Sequence, residues 1–318
     1  MSQRTASRNR ASAHAPGGPL LTPDRWEALF ASSAKRTRLR RKWAQGVAYG
    51  LSALALALAL FPLADLFIIV VWRGIGGLSL RVFAEVTNGV SAGLENAILG
   101  TVDLTGLGIL LAGTVGIGGG IFLADWSSPR IERVLGYVTD VLAGVPSIVI
   151  GYFGYILLVS VFGWGFSLLA GSVSLAVLML PYVVRTTELA IRRVPGELKE
   201  GSLALGISHM ATTHQVSFRL AFPSIMTGLL IACGIGVGET APLLYTAEWS
   251  NFNPSGFVHR PVGYLTYVVW TFIQKPFTSA HELAYTAAFL LVAAAFALNL
   301  AARSLLGHAP GGHGGLRS

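Results

Sequence analysis

An all-α, polytopic membrane protein with about six transmembrane helices is predicted from three observations. Hydrophobic residues make up 53% of the chain and charged residues only 12%, where a soluble domain carries about 25% charged. Apolar runs long enough to cross a bilayer, roughly 20 residues, recur at 44–72, 96–123, 136–161, 167–188, 221–247 and 283–306. With no water in the hydrocarbon to satisfy backbone groups, each run is expected to be helical. Finally, if the N-terminus is cytoplasmic, every Lys and Arg of the 23 falls inside except Arg73, Arg81, Arg260 and Lys275. That bias places both termini inside.

The boundaries follow. Residues 1–43 form a basic cytoplasmic extension, 44–306 the membrane domain with a cytoplasmic loop at 189–220, and 307–318 a flexible cytoplasmic tail. The first 21 residues are rich in Ser, Ala, Arg, Pro and Gly and cannot bury enough apolar surface to fold alone. Thr22-Pro23-Asp24 reads as a helix start, with Thr as N-cap and Pro in the first turn. Trp26, Leu29 and Phe30 before a basic cluster fit either a helix on the inner leaflet or an unstructured tail.

The first apolar run is too long for a signal h-region and is expected to stay as a helix. Its Asp65, near Pro62, faces a cavity or a partner helix. In the second run, residues 113–120 are glycine-rich, yet no Gly-Lys pair occurs anywhere to complete a phosphate loop. The chain is expected to bind no ATP and no other cofactor itself, and the glycines to serve close helix packing. Asp103, nearer the middle of that run, is a candidate for a functional or pairing role.

Gly144, Pro146 and Ser147 interrupt the third run. Proline removes a backbone hydrogen bond and clashes with the preceding turn, leaving two readings: a broken helix presenting N–H groups at mid-membrane, or a packing kink. Asp140 sits near the inner interface and is assigned no transport role. In the fourth run Arg185 is the only basic residue well within apolar sequence, with Glu188 three residues on. Arg185 either meets an anion or a gating acid, or anchors the helix while pairing Glu188.

The loop after this run holds a second signal. Pro195 suits a first turn, Leu198, Ser202 and Leu205 follow at i, i+4 and i+7, and Gly206 suits the left-handed residue that ends a helix. A second short helix is expected from Ser208. Such a loop is either padding on the bilayer surface or a lever set into a soluble partner.

Glu239, in the fifth run, costs several kcal/mol unless paired or protonated. It is expected to have an Arg partner on a neighbouring helix or subunit, and to act as a gate or to fix helix register. Gly234, Gly236 and Gly238 read as packing glycines, and the single Cys233 excludes an internal disulfide. Outside lies 248–282, whose Trp249, Tyr264, Tyr267 and Trp270 fit an interfacial belt or a surface for a binding protein. His308 and His313 sit in a Gly- and Pro-rich tail expected to be flexible rather than metal-binding. The net charge of +8 is accounted for by the positive-inside bias, with no nucleic-acid-reading motif beside it.

Three stretches carry a resemblance. Glu200-Gly201-Ser202, three residues, then Gly206 is similar to the Glu-Ala-Ala…Gly loop of ABC importer permeases. Residues 144–151 (Gly-Val-Pro-Ser-Ile-Val-Ile-Gly), 180–188 (Leu-Pro-Tyr-Val-Val-Arg-Thr-Thr-Glu) and 238–247 (Gly-Glu-Thr-Ala-Pro-Leu-Leu-Tyr-Thr-Ala) resemble PstA-type permease subunits of phosphate-specific ABC transporters. The likeness departs at Ile235, where that family commonly carries Arg, and at Asp103.

The resemblance implies a MetI-like permease fold, paired in a bacterial cytoplasmic (inner) membrane with a PstC-like second permease. It further implies PstB-like ATPase subunits that use the ATP and grip the loop at Glu200, Gly201, Ser202, Leu205 and Gly206, and a phosphate-binding protein outside. Arg185, Glu188, Glu239, Thr240, Pro146 and Ser147 are the expected path or gate. Two alternatives stay open: another oxyanion or small solute as cargo, or a stand-alone secondary transporter with Asp103 and Glu239 as proton or cation sites.

Overall fold

The computed structural model describes residues 23–90 and 93–307. The terminal segments before residue 23 and after residue 307, with the tail histidines, lie outside the described residues. Contacts divide the chain into two compact units, residues 1–66 and 67–318. What is described of the first is helix throughout: α1 (Pro23–Gly76) starts at the expected first-turn proline and continues without interruption into the first apolar run. The separate surface helix expected before that run is therefore one and the same helix.

Among the described residues five helices are long and apolar enough to cross a membrane: Arg41–Gly76 of α1, Glu95–Trp126, Leu168–Arg192, His209–Gly238 and Thr278–Leu305. After the short α2 (Leu80–Ala84), the second comprises α3 (Glu95–Ile121) and a π-helical turn, Phe122–Trp126. The third apolar run is not one straight helix. It divides into α4 (Pro129–Gly144) and α5 (Ser147–Gly154), the latter running on as a π-helical segment to Val161, with a 96° bend between them.

Then comes α6 (Leu168–Arg192), capped by the Ser167 hydroxyl, which accepts from the Ala170 N–H at 3.3 Å. The loop beyond it carries α7 (Gly196–Ala204). The fifth span begins earlier than its apolar composition suggests, at α8 (His209–Thr212) behind the N-cap Ser208, and passes through a π-helical segment, Thr213–Phe218, into α9 (Arg219–Gly238). It also ends earlier, at Gly238, and α10 (Ala241–Thr246) is a separate helix. Finally α11 (Leu265–Phe272) and α12 (Thr278–Gly307) close the chain.

In the second unit α6 is the central element. Leu175, Met179 and Val183 on it are fully buried or nearly so with Leu104 and Ala112 of α3, Ala232 of α9 and Leu243 of α10. Glycine makes this approach possible. A Cβ at Gly116 would lie 2.7 Å from Val183 Cγ1, and one at Gly236 2.8 Å from Met179 Sδ. The packing role expected of the glycines holds at Gly116, Gly120 and Gly236, but Gly118, Gly234 and Gly238 face open space.

A smaller apolar cluster joins α2, the start of α3, α11 and α12. Trp249 and Tyr267 pack against it, stacked on each other at 4.7 Å, while Tyr264, 1% exposed, belongs to the larger core and Trp270 stays open. Lys275 donates to the Gly89 carbonyl and lies 3.8 Å from the Phe272 ring centroid. Burial holds its ammonium below the usual lysine range.

Candidate functional site

Two chain breaks, 94 residues apart in sequence at Val145 and Glu239, meet inside the membrane domain. At the first, α4 ends on Gly144, Val145 is extended (φ −70°, ψ 128°), and Pro146 precedes α5. The residue before a proline is pushed out of the helical region, so this break is written locally. At the second, α9 ends at Gly238, and Glu239 turns extended (φ −76°, ψ 137°) before Thr240 and α10. Gly238 ends α9 and α10 begins only at Ala241, with Pro242 in its first turn, so Glu239 stands at a break, not inside a spanning helix as its apolar flanks suggest.

Close packing of α5 on α10 brings the breaks together. A Cβ on Gly151 would come within 2.5 Å of Pro242 Cα. The Ser147 and Glu239 side chains lie close to one another, and Thr266 Oγ1 donates to the Glu239 carbonyl at 2.8 Å. Pro146, Ser147, Glu239 and Thr240 thus form one cluster, with Pro146 exposed and open space beside Gly144 and Gly238. The Arg partner expected for Glu239 is not found among the described residues of this chain, and Ile235 is packed against the apolar core instead.

The second cluster lies one helical turn before the first break. Arg185 pairs Glu188 at 2.8 Å, as its spacing predicts, and also holds Asp140 of α4 bidentately at 2.9 and 3.0 Å. Glu188, whose side chain is 6% exposed, is shared with Arg192 at 3.1 Å, and Arg192 reaches Glu132 of α4 at 2.8 Å. Five ionised groups carry a net charge of −1. Asp140, assigned no role from sequence, is thus the acid that Arg185 meets. A readable signal was there: acids eight residues apart on α4 face arginines seven apart on α6, spacings that align one side of each helix.

The loop of residues 189–220 forms the helix expected of it. Gly206 is left-handed (φ +82°), its N–H donates to the Leu203 carbonyl at 2.9 Å and that of Ile207 to the Ser202 carbonyl at 3.3 Å, the two bonds of a Schellman ending. The expected single stripe does not hold. Ser202 is buried and shares a 2.9 Å hydrogen bond with Thr212, whereas Leu198 and Leu205 point to solvent, Leu205 at 82% exposure. Glu200 and Gly201 are exposed beside them. Sequence reasoning missed Lys199, which pairs Asp125 at 2.7 Å at the end of the second span.

Asp103 is exposed on α3, in a cleft of about 520 Å³ with Gly106 and Phe257, and is in no ion pair among the described residues. No group of three or more His, Cys, Asp or Glu side chains that could hold a metal occurs among the described residues.

Residues 116–308 match the family of binding-protein-dependent transport system inner membrane components. The chain is 41% identical over 254 residues to the phosphate transport system permease protein PstA 2 of Mycobacterium tuberculosis, across 80% of this chain and 84% of that one. It is 36% identical to the phosphate transport system permease protein PstA of Xylella fastidiosa, across 84% and 94%. Among solved structures, an inward-facing MetNI methionine ABC transporter matches at TM-score 0.55 and 18% identity, across 67% of this chain and 95% of that one. That likeness is one of fold.

Proposed function

The chain belongs to the family of binding-protein-dependent transport system inner membrane components, and from that premise we propose that it is the PstA-type permease subunit of an ATP-driven phosphate importer. The observation that carries this reading is the 41% and 36% identity to phosphate permeases over at least 80% of the chain, a span that includes both polar clusters. Membership in this family leaves a stand-alone carrier without support. The chain catalyses no reaction; a partner ATPase hydrolyses the ATP.

Phosphate near neutral pH carries one to two negative charges, so its path needs cations, N–H groups or helix N-termini. Arg185 supplies the cation. Its guanidinium already holds both carboxylate oxygens of Asp140 from one nitrogen, Nη2, and a phosphate oxygen accepts the same charge-assisted bond. Asp140 is the most exposed member of the network, at 60%, and yields that place when the anion enters. Glu188, shared with Arg192, keeps the Arg185 head in position. Glu239 and Ser147 form the gate at the meeting of the breaks, with a counter-cation supplied across the interface by a PstC-like permease.

The exposed face of the loop, with Glu200, Gly201, Leu205 and Gly206, docks into PstB-like ATPase subunits, and both termini lie in the cytoplasm. ATP binding draws the ATPases together and opens the path towards a loaded phosphate-binding protein; hydrolysis resets it. The test is co-purification with the native partners and measurement of ATP hydrolysis with and without phosphate-loaded binding protein. Stimulation that requires phosphate is expected. An associated ATPase indifferent to phosphate moves the cargo to another anion.

A further inference from the structure

The loop that presents α7 is held to the membrane helices in an unusual way. The larger apolar side chains of its middle turn outward, Leu205 at 82% and Met210 at 68% exposure, so apolar packing fastens only its ends, where Ile191, Val194 and Phe218 join a cluster with Ala221 and Ile225. What fastens α7 between those ends is a small polar node. Lys199 Nζ lies 2.7 Å from Asp125 Oδ1 and donates to the Ile191 carbonyl at 3.3 Å, while Thr213 Oγ1 donates to Asp125 Oδ2 at 3.2 Å. Next to it, the Trp126 ring meets the His209 ring edge-on at 4.5 Å.

We propose that the Lys199–Asp125 pair is the mechanical link through which movement of α7 reaches the membrane helices, making both positioning residues of transport. This rests on the reading of the 189–220 loop as the ATPase-docking element. Three spans converge on the pair: Asp125 ends the second, Ile191 the fourth, and Thr213 begins the fifth. Asp125 is only 7% exposed and Lys199 23%. A buried carboxylate separated from its cation keeps its full desolvation cost, so α7 cannot move without drawing the end of the second span along. Both Asp125 and Thr213 sit in π-helical segments, where the regular backbone ladder is already interrupted and a helix end turns most readily. The link is therefore stiff at the ion pair and compliant just beyond it.

The experiment uses the full transporter in nanodiscs. An environment-sensitive fluorophore is placed on a cysteine replacing Val115, a position 63% exposed on α3, in a Cys233→Ala background. Three quantities are read: ATPase co-purification, the fluorescence change on adding ATP, and stimulation of hydrolysis by phosphate-loaded binding protein. Lys199→Met should keep the ATPase bound and lose the ATP-induced change. Lys199→Arg should keep it, and the exchange Asp125→Lys with Lys199→Asp should recover it. A wild-type ATP response in Lys199→Met, loss of ATPase binding in that variant, or failure of the exchange to restore the response each overturns the link. Absence of an ATP response in the unsubstituted complex overturns it together with the docking reading. An ATP response that phosphate does not affect leaves the link standing and removes the cargo assignment.

Discussion

Between α4 and α6 five charged side chains share four ion pairs around a buried Glu188 at 6% exposure, while the other four stay open, Arg185 at 41% and Asp140 at 60%. At the loop of residues 189–220 a single pair, Lys199 with Asp125, is closed to 23% and 7%. Exposed pairs contribute about 0–1 kcal/mol, whereas removing one partner of a buried pair costs about 3–5 kcal/mol. The first region can therefore exchange partners cheaply, as a passage for an anion requires. The second resists separation, as a mechanical joint requires. On the proposed reading the same residue types suit opposite purposes, and burial decides which.

The largest effect should come from the closed pair. Asp125→Ala leaves Lys199 partly buried without its anion and should cost about 3 kcal/mol, the low end for a buried pair because Lys199 keeps some water. Thermal unfolding of the purified complex measures this. An unchanged melting temperature would erase the contrast between the two regions. Next is Glu188→Gln, at the buried centre of the open network. Two charge-assisted bonds weaken at once and two arginines face each other without their shared anion, for about 2 kcal/mol and a loss of phosphate uptake. Full uptake with lowered stability would make Glu188 purely structural.

Glu239→Gln keeps the shape and the Ser147 contact while removing the charge. Transport is expected to fall about tenfold, equivalent to about 1.4 kcal/mol, with folded protein unchanged; uptake equal to wild type would assign Glu239 to helix register alone. The smallest stability effect belongs to Asp140→Asn, below about 1 kcal/mol because the group is mostly solvated. Its uptake kinetics should nonetheless shift, since Arg185 loses the anion that competes with phosphate. A melting shift as large as that of Asp125→Ala would show that the open network is as rigid as the closed pair.

Several features were legible because they depend on neighbours in sequence. The Pro146 break follows from the constraint a proline puts on the residue before it, and the 96° bend is its result. Gly206 ends α7 because the chain needs a left-handed residue there. The Arg185–Glu188 pair follows from a three-residue spacing. The fifth span misled in both directions: its polar start at His209 hides in a loop composition, and its end at Gly238 hides in an apolar one. Hydropathy reports which residues tolerate the bilayer, not where the backbone leaves the helix.

By itself the sequence determined how many segments suit the bilayer, where prolines and glycines stop a helix, and which loop offers a short capped helix, because each is set within a few residues of chain. Tertiary structure alone decided that Ser147 meets Glu239, that Asp140 occupies Arg185, and that Asp125 holds Lys199. Those pairings depend on which face of one helix turns to which face of another, and that is fixed by glycine-allowed contacts around α6 that no local pattern spells out.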